Sequence, residues 1–394
     1  MSRIIMHIDL NAFFATAEQI RDPSLVGKPM IVGGIGRRGI VSTASYEARA
    51  FGIHSAMPTY MAKRLCPSVI IKHPDFELYS RLSRELFAFV SRYSKIVEPA
   101  SIDECYADLT DSLKGVKDVE QYFKDLQGSL LKETQLKCSI GVGPTKFLAK
   151  MASDMKKPMG ITILRRRDLN DKLYPLPIKD MYGIGKKTYP RLEAIGVKTI
   201  GDLATRDDIE IKNLLGKFYY VLKDWVLGYG SDEVTVEPSD PKSVGNSSTF
   251  MTDTDDYDEI KSMISALSHE VSERAISDKK KGKTIQIVVK DADFKVHNRS
   301  ISFDEPINDF DTIFDRAMKL FDRNYQGQKI RLVGVTLQNL HDPRDIVTQM
   351  SLFDYEKNEE ESRTKLLINE LNRKLKKPLL KRASEAEKHE IVVK

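Results

Sequence analysis

The stretch Ser101-Ile102-Asp103-Glu104, together with Asp9 in Met6-His7-Ile8-Asp9, holds the residue types with the most chemistry to offer. Each acid follows a short apolar run that reads as a buried strand: Ile4-Ile5-Met6-His7-Ile8 before Asp9, and Ile96-Val97 and Ile102 before Asp103 and Glu104. A carboxylate at such a position is costly unless a positive partner neutralises it. If the two strands pair, Asp9, Asp103 and Glu104 converge on one edge of a sheet. Hard oxygen donors without Cys or His are what Mg²⁺ takes. Two such ions roughly 4 Å apart would activate a 3′-hydroxyl and hold the phosphates of a nucleotide for in-line displacement. The spacing by itself fits two unrelated strand-end acids equally well.

Four further clusters carry possible chemistry. In Ser42-Thr43-Ala44-Ser45-Tyr46-Glu47-Ala48-Arg49, a helix starting near Ala44 puts Tyr46 and Arg49 on one face. A hydroxyl beside a guanidinium makes a phosphate clamp, and a solvated helix face gives the same pattern. Lys157, in the run that closes with Pro158-Met159-Gly160, could reach a polyphosphate as a point charge or simply end a helix with a cation. Met181-Tyr182-Gly183-Ile184-Gly185-Lys186-Lys187 fits a helix-hairpin-helix, whose glycines let backbone N–H groups face a DNA phosphate without reading sequence. An ordinary helix–helix turn is the alternative, and Pro190 leaves the start of the second helix open. Gln349-Met350-Ser351-Leu352-Phe353 lies in a polar tail, where its apolar side chains suit a pocket on a partner.

The elements that must position these residues follow from periodicity. Residues 1–10 read as a strand, 12–20 as a helix, and 29–33 and 40–43 as short strands. Short helices fit 44–51 and 58–65, and a longer one fits 75–93. Strands follow near 96–99 and 103–109, a helix at 117–134, a strand at 136–142, and a helix from Thr145 to about Met155. The pattern β-α-β-β-α-β over residues 1–10 and 75–165 predicts a ferredoxin-like sheet with an insert at 11–74. Residues 167–230 read as helical, and 231–246, rich in Ser, Asp, Pro, Gly and Glu, as a linker. A second βαββαβ pattern occupies 247–340, and a charged helical stretch about 356–375. The chain is thus an α+β multidomain protein of 394 residues, too long for one core.

Composition narrows the setting. Cys66, Cys105 and Cys138 are lone cysteines without metal spacing, which points to a reducing cytoplasm with no zinc and no disulfides. No signal peptide and no membrane span is expected. The net charge is only +5, so distribution matters more than total. Residues 260–303 hold 9 basic against 5 acidic residues, which leaves room for one basic side on the last domain.

Taken jointly, these residues resemble the Y-family DNA polymerases of the bacterial DNA polymerase IV type. The resemblance rests on Asp9 with Phe13-Phe14, the Ser42–Arg49 block with Ser55-Ala56-Met57-Pro58, Ser101–Glu104, Gly141–Lys146, Lys157-Pro158 and Lys242-Ser243-Val244-Gly245, over about residues 1–355. It implies a right-hand polymerase: palm at 1–10 and 75–166, fingers at 11–74, a helical thumb with a helix-hairpin-helix at 167–232, a linker at 233–241, a little finger at 242–341 and a tail at 342–394. It implies that Asp9, Asp103, Glu104 and the Leu10 carbonyl bind two Mg²⁺ ions, with Mn²⁺ as a substitute. Tyr46, Arg49 and Lys157, with Thr43 beside them and the Phe13 and Phe14 amides, would contact the triphosphate. Phe14 would be the steric gate that stacks under the deoxyribose. Gly183, Gly185, Lys186, Lys187, Lys242, Ser243 and Arg299 would contact DNA. Gln349, Leu352 and Phe353 would dock on the bacterial sliding clamp.

The implied protein is a monomeric, error-prone translesion polymerase that adds dNTPs to a primer-template without proofreading. Some positions depart from the family pattern. Cys105 stands where Ala or Val is commoner, beside two ligands, a position expected to be open to oxidation or soft metals. Ala12 is small, and Asn246-Ser247-Ser248 replaces a more acidic stretch. Two other readings compete: a clamp-tethered DNA-binding protein without catalysis, which the three carboxylates disfavour, and a nucleotide cyclase with a related palm, which the helix-hairpin-helix and the clamp-like peptide disfavour.

Overall fold

The structure, a computed structural model, describes residues 3–231, 233–237, 240–342, 344, 367, 368 and 371. The chain forms two compact units, Met1–Asp240 and Pro241–Lys394. The first opens with β1 (Ile5–Leu10), buried at every position. The insert follows: α1 (Phe13–Arg21), β2 (Met30–Gly33), β3 (Val41–Ala44), α2 (Tyr46–Arg49), α3 (Thr59–Leu65) and β4 (Ile70–Lys72). Its strands pair in the order β3-β2-β4 over a small core that includes Ile31, Val41, Ala48 and Ile53. The helix predicted over 44–51 is shorter, because β3 runs through Ala44 and Ser45 then caps α2, its Oγ accepting from the Ala48 N–H at 3.2 Å. β4 was not predicted; three residues are too few to show a period.

The main sheet is completed by α4 (Phe76–Val90), β5 (Val97–Pro99), β6 (Glu104–Asp108), α5 (Val119–Thr134), β7 (Cys138–Gly143), α6 (Lys146–Met155) and β8 (Ile161–Ile163). Strand order is β5-β6-β1-β7-β8. The predicted βαββαβ unit accounts for four strands, and β8 adds a fifth, parallel to β7. Leu78, Leu82 and Leu86 of α4 with Phe123 and Leu126 of α5 share one core with Met6, Ile8 and Ile140. α6 covers the opposite face at close range. A Cβ on Gly141 would lie 2.0 Å from the Ala149 carbonyl oxygen, and one on Gly143 2.8 Å from the Leu148 Cβ. Only glycine lets this helix approach so near.

Helices α7 (Tyr189–Ala194), α8 (Ile200–Thr205), α9 (Ile209–Leu215) and α10 (Phe218–Val226) then enclose a core of Leu173, Leu192, Leu203 and Leu222, among others. Pro190 sits in the first turn of α7, where its missing N–H costs nothing. The predicted linker at 231–246 is shorter than expected. Val234 is buried with Ile5 and Ala149, and the Thr235 N–H donates to Glu98 Oε2 at 2.8 Å.

The second unit contains β9 (Ser243–Thr254), α11 (Tyr257–Ser277), β10 (Lys281–Asp291), β11 (Val296–Ile307), α12 (Phe310–Asp322) and β12 (Ile330–His341). Its antiparallel sheet runs β11-β10-β12-β9. Ile264, Val271, Ile313 and Phe321 of the helices pack on Ile285, Ile287, Val333 and Val335, so one face is covered. Residues of opposite parity, among them Ser243, Ser247, Gln286, Lys290 and Thr336, form the other face. The predicted peptide at 349–353 lies outside the described residues, as does most of the stretch at 356–375. Among the described residues no helix is long and apolar enough to cross a membrane.

Candidate active site

β1 and β6 pair with Asp9 opposite Glu104 and His7 opposite Tyr106. Residues opposite one another, and residues two apart, share a sheet face, so all four side chains lie on the α6 side. From α6, Lys150 Nζ donates to Asp9 Oδ2 at 3.0 Å and to Glu104 Oε1 at 2.9 Å, and lies 3.6 Å from Asp154 Oδ2. Lys157 Nζ reaches Asp9 Oδ2 at 2.7 Å and Asp154 Oδ1 at 2.8 Å. His7 is fully buried, with Nδ1 2.8 Å from Ser153 Oγ. Its Nε2 lies 3.4 Å from Glu104 Oε2 but out of line for a hydrogen bond.

The two facing carboxylates are driven apart in acidity. Burial pushes the Asp9 carboxyl up to about 6, helped by the facing Glu104 carboxylate and opposed by Lys150 and Lys157. Burial also works against the Glu104 charge, but the Lys150 ammonium, which donates to Oε1, and the neighbouring His7 and Asp9 hold that carboxyl well below the usual range.

Asp103 is adjacent but turned to a different partner. Its carbonyl accepts the Leu10 N–H at 3.0 Å, while its carboxylate accepts from Ser101 Oγ at 2.6 Å. Among the described residues no three His, Cys, Asp or Glu side chains converge as a ready-made metal cage. The structure thus brings Asp9 and Glu104 together and leaves the Asp103 side chain apart from them. The available donors, carboxylate oxygens and the Leu10 carbonyl, are hard and fit a divalent cation by type.

Phosphate-binding candidates flank this centre. The Arg49 guanidinium stacks 4.6 Å over the Tyr46 ring, and its Nε donates to the Ala44 carbonyl at 3.0 Å. Burial pushes the Tyr46 hydroxyl up, against the fields of Arg49 and Lys157. Thr43 lies beside them on β3, paired with Val32. On the other side Phe13 is buried in the core, whereas Phe14 is half-buried and stacks on Tyr79 with centroids 4.3 Å apart at 12°.

Comparison with known proteins decides the family. The model of the impB/mucB/samB family matches residues 8–154, its helix-hairpin-helix model matches 166–197, and its C-terminal domain model matches 241–352. A DNA polymerase IV of Bacillus velezensis is 43% identical over 98% of this chain and 94% of its own. DNA polymerase IV 1 of Bacillus subtilis is 40% identical over 99% of this chain and 94% of its own. The chain belongs to the Y-family DNA polymerases, of the DNA polymerase IV type. A solved Y-family polymerase chimera superposes with a TM-score of 0.76 at 26% identity, covering 86% of this chain and 99% of that one. Membership carries a general dependence on a divalent metal.

Several residues of this Y-family site escape sequence reading. Lys150 is the main one, and its signal is a lysine in the apolar run Phe147-Leu148-Ala149-Lys150-Met151-Ala152. Asn11 is another. Its Oδ1 accepts the Met159 N–H at 2.8 Å and its Nδ2 donates to Ser139 Oγ at 2.9 Å, which pins the loop that carries Lys157. One expectation needs correction, and one candidate DNA contact faces a different way from its companions. Cys105 pairs with Ile8, on the face opposite the carboxylates, and is fully buried. Burial pushes its thiol up to about 12, so it is an inert core residue. Arg299 lies opposite Ile287, which puts it on the helix-covered side, and its Nε donates to Asn324 Oδ1 at 2.9 Å. It is therefore not on the open face with Ser243. In the hairpin, Gly183 has φ of 92°, while Gly185, Lys186 and Lys187 are exposed. Lys242 and Ser243 are exposed at the start of β9.

Proposed function

We propose that this chain is a template-directed, error-prone translesion DNA polymerase that extends primers with dNTPs by Mg²⁺-dependent, two-metal-ion nucleotidyl transfer, without proofreading. The observation that carries the reading is Asp9 facing Glu104 across two interior strands of the sheet, with Lys157 bound to Asp9 and the Arg49–Tyr46 stack on the insert that follows β1. In this reading the palm is 1–10 and 75–166, the fingers 11–74, the thumb 167–232, the linker 233–241, the little finger 242–341 and the tail 342–394.

Asp9, Asp103, Glu104 and the Leu10 carbonyl would hold the ions. When bound, the metal would favour the 3′-alkoxide and offset the triphosphate charge. The chain's own groups do the rest. Arg49 presents a planar fork to a phosphate, fixed by its stack on Tyr46 and its bond to Ala44. Lys157 adds a point charge, and Thr43 and the Phe13 and Phe14 amides complete the cradle. The ring of Phe14 lies under the sugar and excludes a 2′-hydroxyl by contact. Backbone N–H groups at Gly183–Lys187 and the polar face from Lys242 and Ser243 to Lys290 hold the DNA backbone. The protein acts as a cytoplasmic monomer and docks through Gln349, Leu352 and Phe353 on the sliding clamp, which raises its concentration at the primer end.

Primer extension with purified protein, Mg²⁺ and four dNTPs tests the reaction. Elongation by wild type and none by Asp103→Asn is expected, and no elongation by wild type would sink it. Clamp stimulation tests the tail. Leu352→Ala/Phe353→Ala should lose that stimulation while short-primer synthesis continues, and equal stimulation would move the docking contact elsewhere.

A further inference from the structure

We infer that Glu18 is a positioning residue for sugar discrimination: it fixes Tyr79, and through Tyr79 the ring of Phe14. The inference rests on the reading of Phe14 as the steric gate. Glu18 stands one helical turn after Phe14 on α1 and is fully buried. The Tyr79 hydroxyl donates to its Oε1 at 2.8 Å. Its Oε2 accepts from Arg21, whose other guanidinium nitrogen donates to Asp75 Oδ2 at 2.7 Å. Asp75 in turn caps α4, accepting the Leu78 N–H at 3.0 Å. The chain of contacts therefore runs from the first turn of α4, through a buried carboxylate, to the ring beneath Phe14.

A merely structural tie between α1 and α4 would not need this arrangement. Arg21 and Asp75 already join the two helices at the surface. Burying a carboxylate as well is a poor route to stability. What Glu18 adds is direction, because an anchor at the hydroxyl fixes where the long axis of the Tyr79 ring points, while close packing around the fully buried ring holds its plane. Phe14 follows, since its ring lies nearly parallel on Tyr79 and meets Phe76 edge-on at 6.0 Å. A gate that works by contact is sensitive to displacements well below the size of the group it excludes.

The test is the ratio of kcat/KM for a dNTP to that for the matching rNTP in wild type, Phe14→Ala, Glu18→Ala, Glu18→Gln, Tyr79→Phe and the Glu18→Ala/Phe14→Ala double variant. Phe14→Ala should lose discrimination by orders of magnitude. Glu18→Ala and Tyr79→Phe should each lower it about 3- to 10-fold, the scale of a loosened rotamer. Glu18→Gln, which keeps an acceptor for the Tyr79 hydroxyl, should restore most of it. In the Phe14→Ala background Glu18→Ala should add nothing, because its effect passes through the missing ring. Wild-type discrimination in both Glu18→Ala and Tyr79→Phe, with Phe14→Ala defective, would overturn the inference, as would an undiminished Glu18→Ala effect in the double variant. Full discrimination in Phe14→Ala would instead sink the gate reading. Should Glu18→Ala fail to fold, Tyr79→Phe cuts the same contact from the other side and decides the matter.

Discussion

Both units spell strand-helix-strand-strand-helix-strand, yet they order their strands differently. In the first, the opening strand β1 sits between β6 and β7; in the second, the opening strand β9 forms an edge. β1 is Ile-Met-His-Ile-Asp-Leu and buried throughout, while β9 is buried only at Val244, Phe250 and Thr254. A strand covered on both faces must pair whatever polar groups it carries, whereas an edge strand of a half-open sheet keeps them wet. One element order therefore serves a dry, charge-dense centre in one unit and a broad polar face in the other.

Substitutions that strike the dry centre should cost most. Asp9→Ala or Asp103→Asn should abolish nucleotide addition while primer-template affinity, read by fluorescence anisotropy, stays nearly intact. A kcat for Asp103→Asn comparable to wild type would remove that carboxylate from the reaction. Lys150→Ala should destabilise the fold by about 3–5 kcal/mol, because the buried Asp9 and the half-buried Glu104 lose their shared cation. An unchanged urea midpoint would mean that the centre is wetter than β1 suggests. Arg49→Ala and Lys157→Ala should each weaken nucleotide use by roughly 2–5 kcal/mol and DNA binding far less. Unchanged KM and kcat in both would return them to a solvated surface.

The open sheet should respond mildly and in another currency. Lys290→Ala should lower DNA affinity across all sequences and reduce the slope of log affinity against log salt by about 1. Arg299→Ala, on the helix side, should do less. A larger effect from Arg299 would reverse the facing assigned here and erase the contrast between the two sheets.

The contrast also explains what could be read in advance. Burial leaves a mark in local sequence, so Ile4–Ile8 announces β1 and the periodic residues of α4 announce its inner face. β4 and β8 go unread: at three residues each, as for β5, periodicity alone does not decide. Lys150 leaves only the faint mark of a lysine in an apolar run, for a different reason. A lysine suits almost any helix, and only the packing of α6 on Gly141 and Gly143 brings it to Asp9. Arg299 was readable: it shares its parity with Ile301 and Phe303, which pack inward, and one step along a strand changes the face. Glu18 and Tyr79 look like ordinary helix positions until the two helices meet.

Lys150 and Lys157 have a consequence for assembly. Between them they place two ammonium groups against Asp9, Glu104 and Asp154. The repulsion that would otherwise oppose closing the sheet is met from within the chain itself. In small zinc domains the ion is a condition of folding, and chelators unfold them. Folding and metal loading are therefore expected to be separable: the urea midpoint of the chain in EDTA should match that in Mg²⁺, and a large drop in EDTA would show that the lysines do not suffice.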